Sequence, residues 1–282
     1  MESNTRALAR EGACIADTVA ATTIMLRRDN KPFCPHATES APRGCASLGI
    51  ATDQGADDSV GATSVDVIYC AGAAGTPCWA RNHRGDVREL PMRRWFGSSG
   101  ASAADRLADN VVVAECSGRP TLDLGCGPGR FTGWLQRDGA AALGVDASAV
   151  AVAFTRRRGG TAMRRDLFGP LPAEGCWDNV LLADGNIGIG GDPVRTLNRA
   201  ADLLAPGGAI IVELENPEVA VSYEMLRWET EYAAGHWFPW ARVGAPVLGA
   251  LADAAGLRVN KIVDMDPRVV AVLGAGSHPS KA

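Results

Sequence analysis

"TLDLGCGPGRFTGWL", Thr121 to Leu135, decides the reading of this chain. An apolar run carrying one acid, Asp123, ends in glycines at alternate positions, Gly125, Gly127 and Gly129, and then enters a segment with helical periodicity. A strand that turns through Gly-x-Gly-x-Gly into a helix leaves a backbone surface with no side chains in the way. A ligand can lie against that surface and meet the N–H groups of the helix. Cys126 sits inside the turn because little else fits there, and no catalytic part is expected of it.

Downstream the pattern repeats. "RFTGWLQRDG" reads as a helix ended by Gly139, "ALGVD" as a second strand, and "SAVAVAFTRRRGG" as a helix with Ser148 as its cap. "TAMRRD" and "WDNVLLADG" are the third and fourth strands. "DPVRTLNRAADLL" is a helix opened by Asp192 and Pro193, and "PGGAIIVELE" a turn into the fifth strand. Strands alternating with helices of this length imply a parallel, doubly wound α/β/α layer structure. "RVNKIVDMDPRVVAVLG" holds two further strands around Asp266 and Pro267. They are too close for a crossover helix and must pair antiparallel.

Two ligand classes use such a turn, dinucleotides and S-adenosylmethionine. The dinucleotide spacing Gly-x-Gly-x-x-Gly is broken by Arg130, which stands where the third glycine belongs. Asp123 would repel a pyrophosphate but attract a sulfonium-bearing amino acid with an ammonium group. Asp146 ends the second strand and suits a ribose diol, with Ala147 beside it. Asp166 in "RRDLF" suits an adenine amino group, with Leu167 lining the ring. A nicotinamide-dependent oxidoreductase is the rival reading, and a catalytically silent S-adenosylmethionine-binding protein the second rival.

Five stretches in order, "LDLGCGPGRF", "GVDAS", "RRDLF", "WDNVLLADG" and "LLAPGGAIIVEL", give the region from about Pro120 to Leu273 its resemblance to the class I S-adenosylmethionine-dependent methyltransferases. "LLADGNIGIGGDP", "FPWARVGA" and "PCWARNHRGDVRELPMRRWFG" are similar to a small-molecule type within them found in actinobacteria. The resemblance implies a Rossmann-like seven-stranded sheet of order 3-2-1-4-5-7-6 with the last strand antiparallel. It implies S-adenosyl-L-methionine as cofactor, held by Asp123, the three glycines with Cys126, Asp146, Ala147, Asp166 and Leu167, and, after the fourth strand, Ala183 and Asp184.

The methyl acceptor is expected to be a small molecule. Asn186, in the glycine-rich loop "ADGNIGIGG", is one candidate contact. After Pro217 the βα rhythm breaks into "EVAVSYEMLRWETEYAAGHWFPWARVG", whose Tyr223, Trp228, Tyr232, Trp237, Phe238 and Trp240 offer aromatic walls. Trp237, Trp240 and Arg242 are the candidate acceptor residues there. His236 is the candidate general base, because its ordinary pKa lies near neutrality. Arg93 and Trp95 in "MRRWF" are candidates for the opposite wall.

Composition narrows the class. The 282 residues are 46% apolar and 21% charged with a net charge of −4, an ordinary globular balance and a poor one for a nucleic-acid binder. No apolar run approaches a membrane span, and the N-terminus does not read as a secretory signal, so the expectation is a cytoplasmic protein without membrane contact. The eight cysteines contain no CxxC, "CPH" at Cys34 to His36 lacks partners for a metal, and reduced thiols are expected. The expected organisation is a disordered or loosely packed extension over 1–62, a hairpin ("CWARNHRGDVRELPM", Gly85 in the turn) and a helix ("ASAADRLADNVVVAEC") over 63–118, the methyltransferase-like domain over 119–275, and a flexible tail over 276–282.

Overall fold

The computed structural model describes residues 64–97, 102–215 and 220–276. The expected 1–62 extension, Cys34–His36 and all of the expected tail except Gly276 lie outside these ranges.

The glycine turn separates β3 (Thr121–Leu124) from α4 (Arg130–Arg137). β4 (Ala142–Asp146), α5 (Ala149–Arg157), β5 (Ala162–Arg164), β6 (Trp177–Leu182), α6 (Pro193–Leu203) and β7 (Leu204–Leu214) continue the alternation, and α7 (Ala245–Ala254), β10 (Leu257–Asp264) and β11 (Val269–Ala275) complete it. Local chemistry sets these boundaries. Ser148 caps α5 by accepting the Ala151 N–H at 3.0 Å. Asp192 caps α6 by accepting the Arg195 N–H at 3.0 Å, with Pro193 in the first helical position.

The seven strands lie in the order β10-β11-β7-β6-β3-β4-β5. β11 is antiparallel to both neighbours, and the pairings from β7 to β5 are parallel. In core-strand order this is 3-2-1-4-5-7-6 with the last strand antiparallel, the Rossmann-like α/β/α arrangement expected from the sequence. The Pro-Gly-Gly turn is absorbed into β7. Its register against β6 jumps from Trp177↔Leu204 to Asn179↔Ala209 across Pro206–Gly208. β3 lies mid-sheet with every residue buried, as a strand covered on both faces must be. Its side chains join Trp177, Leu182, Leu197 and Ile210 in the main core.

The aromatic excursion is a second sheet. β1 (Cys78–Asn82) and β2 (Val87–Glu89), the expected hairpin, pair with β8 (Val221–Thr230) and β9 (Phe238–Val243) in the antiparallel order β2-β1-β8-β9. α1 (Ser64–Ala73) contacts β8 and α5. A short α2 (Met92–Trp95) follows β2, and α3 (Ala103–Cys116) starts with a capping box between Ser102 and Asp105. Two single bridges, Ile189↔Trp240 and Glu215↔Gly244, tie this second sheet to the core.

Cys70 is disulfide-bonded, which corrects the expectation of reduced thiols throughout. Cys78, Cys116 and Cys126 are buried thiols. No described helix is long and apolar enough to cross a membrane.

Candidate functional site

Three left-handed glycines shape the turn after β3: Gly125 at φ 74°, Gly127 at 53° and Gly129 at 80°. Their roles differ. Gly125 and Gly127 line a cavity of about 570 Å³. Gly129 does not line it and instead caps α4, where a Cβ would stand 2.5 Å from the Thr155 hydroxyl. The cavity is bounded by the segments leaving β3, β4, β6 and β7 on one side. Arg88–Pro91, Trp228 and Phe238–Trp240 of the second sheet, with Tyr69 of α1, bound the other. Ligands of open α/β sheets bind at this carboxyl edge, where strand order reverses.

Two buried carboxylates face it. Asp146 accepts the Gly127 N–H at 2.9 Å on one oxygen and the Ser148 N–H at 2.8 Å on the other, so it fixes the glycine turn and the start of α5 together. Each oxygen retains acceptor capacity for a hydroxyl. Asp123 accepts the Thr132 hydroxyl at 2.7 Å. Burial pushes both carboxyls up to about 6, against the hydrogen bonds that favour their charged forms. Tyr69 closes over the turn, its hydroxyl 3.2 Å from where a Cβ of Gly127 would stand. Burial, then the nearby Asp146, keeps it protonated and a donor.

Asp184, in the loop after β6, takes a left-handed backbone at φ 53°. Its carboxylate meets Arg130 Nη2 at 2.6 Å and Arg94 Nη2 at 2.9 Å. Burial alone would raise its pKa, but Arg130, Arg94 and Arg268 outweigh that and hold it at about 2. The network extends behind the cavity. Arg130 also pairs with Asp109, and Arg268 forks onto Glu213 at 2.7 and 2.9 Å and reaches Asp109 at 2.7 Å. Arg94 and Trp95 line the cavity, and Arg94 Nε and Trp95 Nε1 are buried donors without a partner. Buried orphan donors are uncommon, so this end is prepared for an acceptor-rich, anionic group.

On the second-sheet side of the cavity Trp228, Phe238 and Trp240 form an aromatic wall, with ring centroids 4.9 to 6.3 Å apart. Glu215 lies beside it. Its Oε2 accepts from Arg242 Nη2 at 3.0 Å, and Oε1 has only a 3.5 Å contact with the exposed Arg88.

Of the residues singled out in the sequence, Asp123, Gly125, Cys126, Gly127, Asp146, Ala147, Asp166, Leu167, Ala183, Asp184, Asn186 and Trp240 line this one cavity. Asp166 turns its carboxylate onto the Phe168 N–H at 3.0 Å. Asn186 uses its amide to bind the Leu124 and Gly125 carbonyls, each at 2.9 Å, so it braces the glycine turn. Burial pushes the Cys126 thiol far above its ordinary value, which leaves it unreactive. Besides Gly129 and Arg93, His236, Trp237 and Arg242 are elsewhere. His236 lines a separate pocket of about 130 Å³. Trp237 is 43% exposed, with the Arg227 guanidinium 4.8 Å over its ring; it precedes β9, whose first residues Phe238, Pro239 and Trp240 line the cavity. Arg242 does not line the cavity but holds Glu215, which does. Tyr69, Arg94 and Glu215 carry no sequence signal of their own; the neighbouring Arg93, not Arg94, is the residue that "MRRWF" had offered.

Residues 121–208 match a family model described as a methyltransferase domain. A curated relative, ribosomal RNA small subunit methyltransferase C of Chromohalobacter salexigens, is 32% identical over 112 residues. The match takes in 36% of this chain and spans about a third of that relative's length, 33%. Among solved structures, an S-adenosylmethionine-dependent methyltransferase from Bacteroides fragilis in complex with S-adenosyl-L-homocysteine superposes with a TM-score of 0.63 at 18% identity, covering 76% of this chain and 95% of that one. The PH0226 protein of Pyrococcus horikoshii gives 0.51 at 13% identity, covering 65% and 96%. The fold is thus that of the class I S-adenosylmethionine-dependent methyltransferases, and residues 121–208 carry the sequence match to a methyltransferase domain.

Proposed function

We propose that this chain is an S-adenosylmethionine-dependent methyltransferase acting on a small molecule, of the kind that its stretches resembling the actinobacterial type suggest. The observation that carries the reading is the meeting of the glycine turn, Asp123 and Asp146 in one cavity of about 570 Å³. That volume is in the range of cofactor pockets. The donor set fits the cofactor. Asp146 offers two oxygens for the ribose hydroxyls, and Asp123 offers a buried negative charge for the ammonium group. Arg94 and Trp95 offer orphaned donors for the carboxylate, and Asp166 and Leu167 offer an edge and a face for the adenine. The similarity in fold to the Bacteroides protein, which was solved in complex with S-adenosyl-L-homocysteine, supports the same reading.

When bound, the cofactor supplies a methyl group already activated on a cationic sulfur. The protein's own part is alignment and exclusion of water. Asn186 and Asp146 fix the turn from two sides. The ion network of Asp109, Arg130 and Asp184 sets the β6 loop, and the second sheet closes the cavity with aromatic side chains that desolvate the acceptor. His236 has no part in this geometry.

Calorimetric titration tests the reading. S-adenosylmethionine and S-adenosyl-L-homocysteine are expected to bind and NADH not to bind. Asp146→Ala is expected to weaken both by about tenfold or more, through loss of a charged, two-point acceptor. Binding of NADH alone would replace this reading with the oxidoreductase.

A further inference from the structure

We infer that Glu215 is the specificity residue for the methyl acceptor, and that the acceptor is an amine attached to a flat apolar body. This rests on the methyl-transfer reading and names the nucleophile within it. Glu215 follows β7 and faces the cavity. Its Oε1 stands 3.9 Å from the place of a Cβ on Gly185, between Asp184 and Asn186, so it lies at the β6 loop that borders the cofactor end. Arg242, outside the cavity lining, fastens Oε2 at 3.0 Å. Oε1 is left toward the cavity, with only the long Arg88 contact. Trp228, Phe238 and Trp240 complete the surroundings. An anchored carboxylate beside aromatic faces is the chemistry that recognises an organic cation.

The charge of the reaction agrees. After a proton leaves the amine for solvent, the nitrogen lone pair forms the new N–C bond, and the C–S bond breaks with its pair returning to sulfur. Positive charge thereby moves from sulfur to nitrogen. A fixed carboxylate next to the nitrogen stabilises that charge as it arrives. A hydroxyl acceptor would instead need a base. Glu215 is a weak one. Burial disfavours its charge, but the Arg242 hydrogen bond and the charges of Arg88 and Arg242 outweigh burial and hold it below the usual carboxylate range. An anionic acceptor would find the arginines beside Glu215 already engaged, since Arg242 and Arg88 both pair with Glu215.

The test uses the full chain saturated with S-adenosyl-L-homocysteine and three probes of one shape, 2-phenylethylamine, 2-phenylethanol and phenylacetate, read by quenching of tryptophan fluorescence. The amine is expected to bind at least about tenfold tighter than the alcohol, with phenylacetate weakest. Glu215→Gln is expected to bring the amine down to the alcohol's affinity while S-adenosyl-L-homocysteine binding stays unchanged. Glu215→Asp is expected to keep the preference for the amine. Equal binding of amine and alcohol, tighter binding of phenylacetate, no binding of any probe, or a preference that survives Glu215→Gln overturns the inference. Failure of S-adenosyl-L-homocysteine to bind the native chain overturns the parent reading instead, and is seen before any probe is added.

Discussion

Acidification should release the cofactor, by an amount fixed by two side chains. Asp123 is 1% exposed and Asp146 8%, and burial raises both carboxyls to about 6. A ligand that brings an ammonium group to one and hydroxyls to the other binds the charged forms. Each must therefore lose its proton on binding at low pH. Between about pH 7 and pH 5 each group with a pKa of about 6 lowers the affinity about tenfold, and the two together about a hundredfold. In the ligand-free protein the sign reverses. A carboxyl whose folded pKa is raised contributes stability that is fully present below its unfolded value near 4 and is lost as pH rises through about 6. These two groups therefore oppose acid unfolding while they oppose binding. The assay is calorimetric titration with S-adenosyl-L-homocysteine at about pH 7, 6 and 5, in buffers of different ionisation enthalpy, so that proton release is read directly. Asp146→Asn should leave only the Asp123 contribution, about tenfold over the same range. An affinity that changes less than about threefold between the extremes, or an Asp146→Asn variant with the full native dependence, refutes the assignment of these carboxylates to the ligand.

Two packing predictions follow from the same site. A Cβ on Gly188 would stand 1.7 Å from the Ala241 carbonyl oxygen, so Gly188→Ala must push β9 off the loop after β6. The expected loss is about 3 kcal/mol or more in urea unfolding, and a loss under about 1 kcal/mol would mean the second sheet docks more loosely than described. Arg268→Met strands Glu213 as a buried charge and leaves Asp109 to Arg130 alone, and about 3–5 kcal/mol of destabilisation is expected. The half-buried Arg81–Glu229 pair, whose glutamate keeps Arg227 as a second partner, serves as the comparison, and Arg81→Met should move the urea midpoint far less.

The parallel sheet was legible because its signals are local. Ser148, Asp192 and Gly139 punctuate helices within a few residues of themselves, and the strand order followed from family resemblance and from the short link at Asp266 and Pro267. The partner of the hairpin was not legible. Arg81 and Glu229 meet across a sequence separation of 148, and antiparallel pairing at that range leaves no trace in either segment. The site divided in the same way. Asp123, Asp146 and the glycines follow strand ends, where fold alone sets direction. Trp237 and Trp240 look alike in sequence, but the first stands just before β9, 43% exposed, and the second within it, on the cavity. Arg93 and Arg94 differ by one step on a four-residue helix, and only Arg94 reaches Asp184. Glu215 reads as an ordinary strand-end acid until β9 brings Arg242 against it.

The second sheet has an unusual pedigree along the chain. β1 and β2 emerge before the parallel core is synthesised and β8 and β9 after it, yet β1 lies between β2 and β8. The wall that completes the cavity can therefore close only when the core has brought the two segments together, and loop closure of this span is among the slow steps of folding. A fragment trimmed to begin at the matched methyltransferase domain would keep β8 and lose its neighbour. Leu226 to Thr230, the half of β8 that pairs with β1, would then stand on an open strand edge. Such an edge is a template for pairing with other copies, so the first 120 residues hold not only part of the pocket but also the segment that keeps the second sheet from self-association.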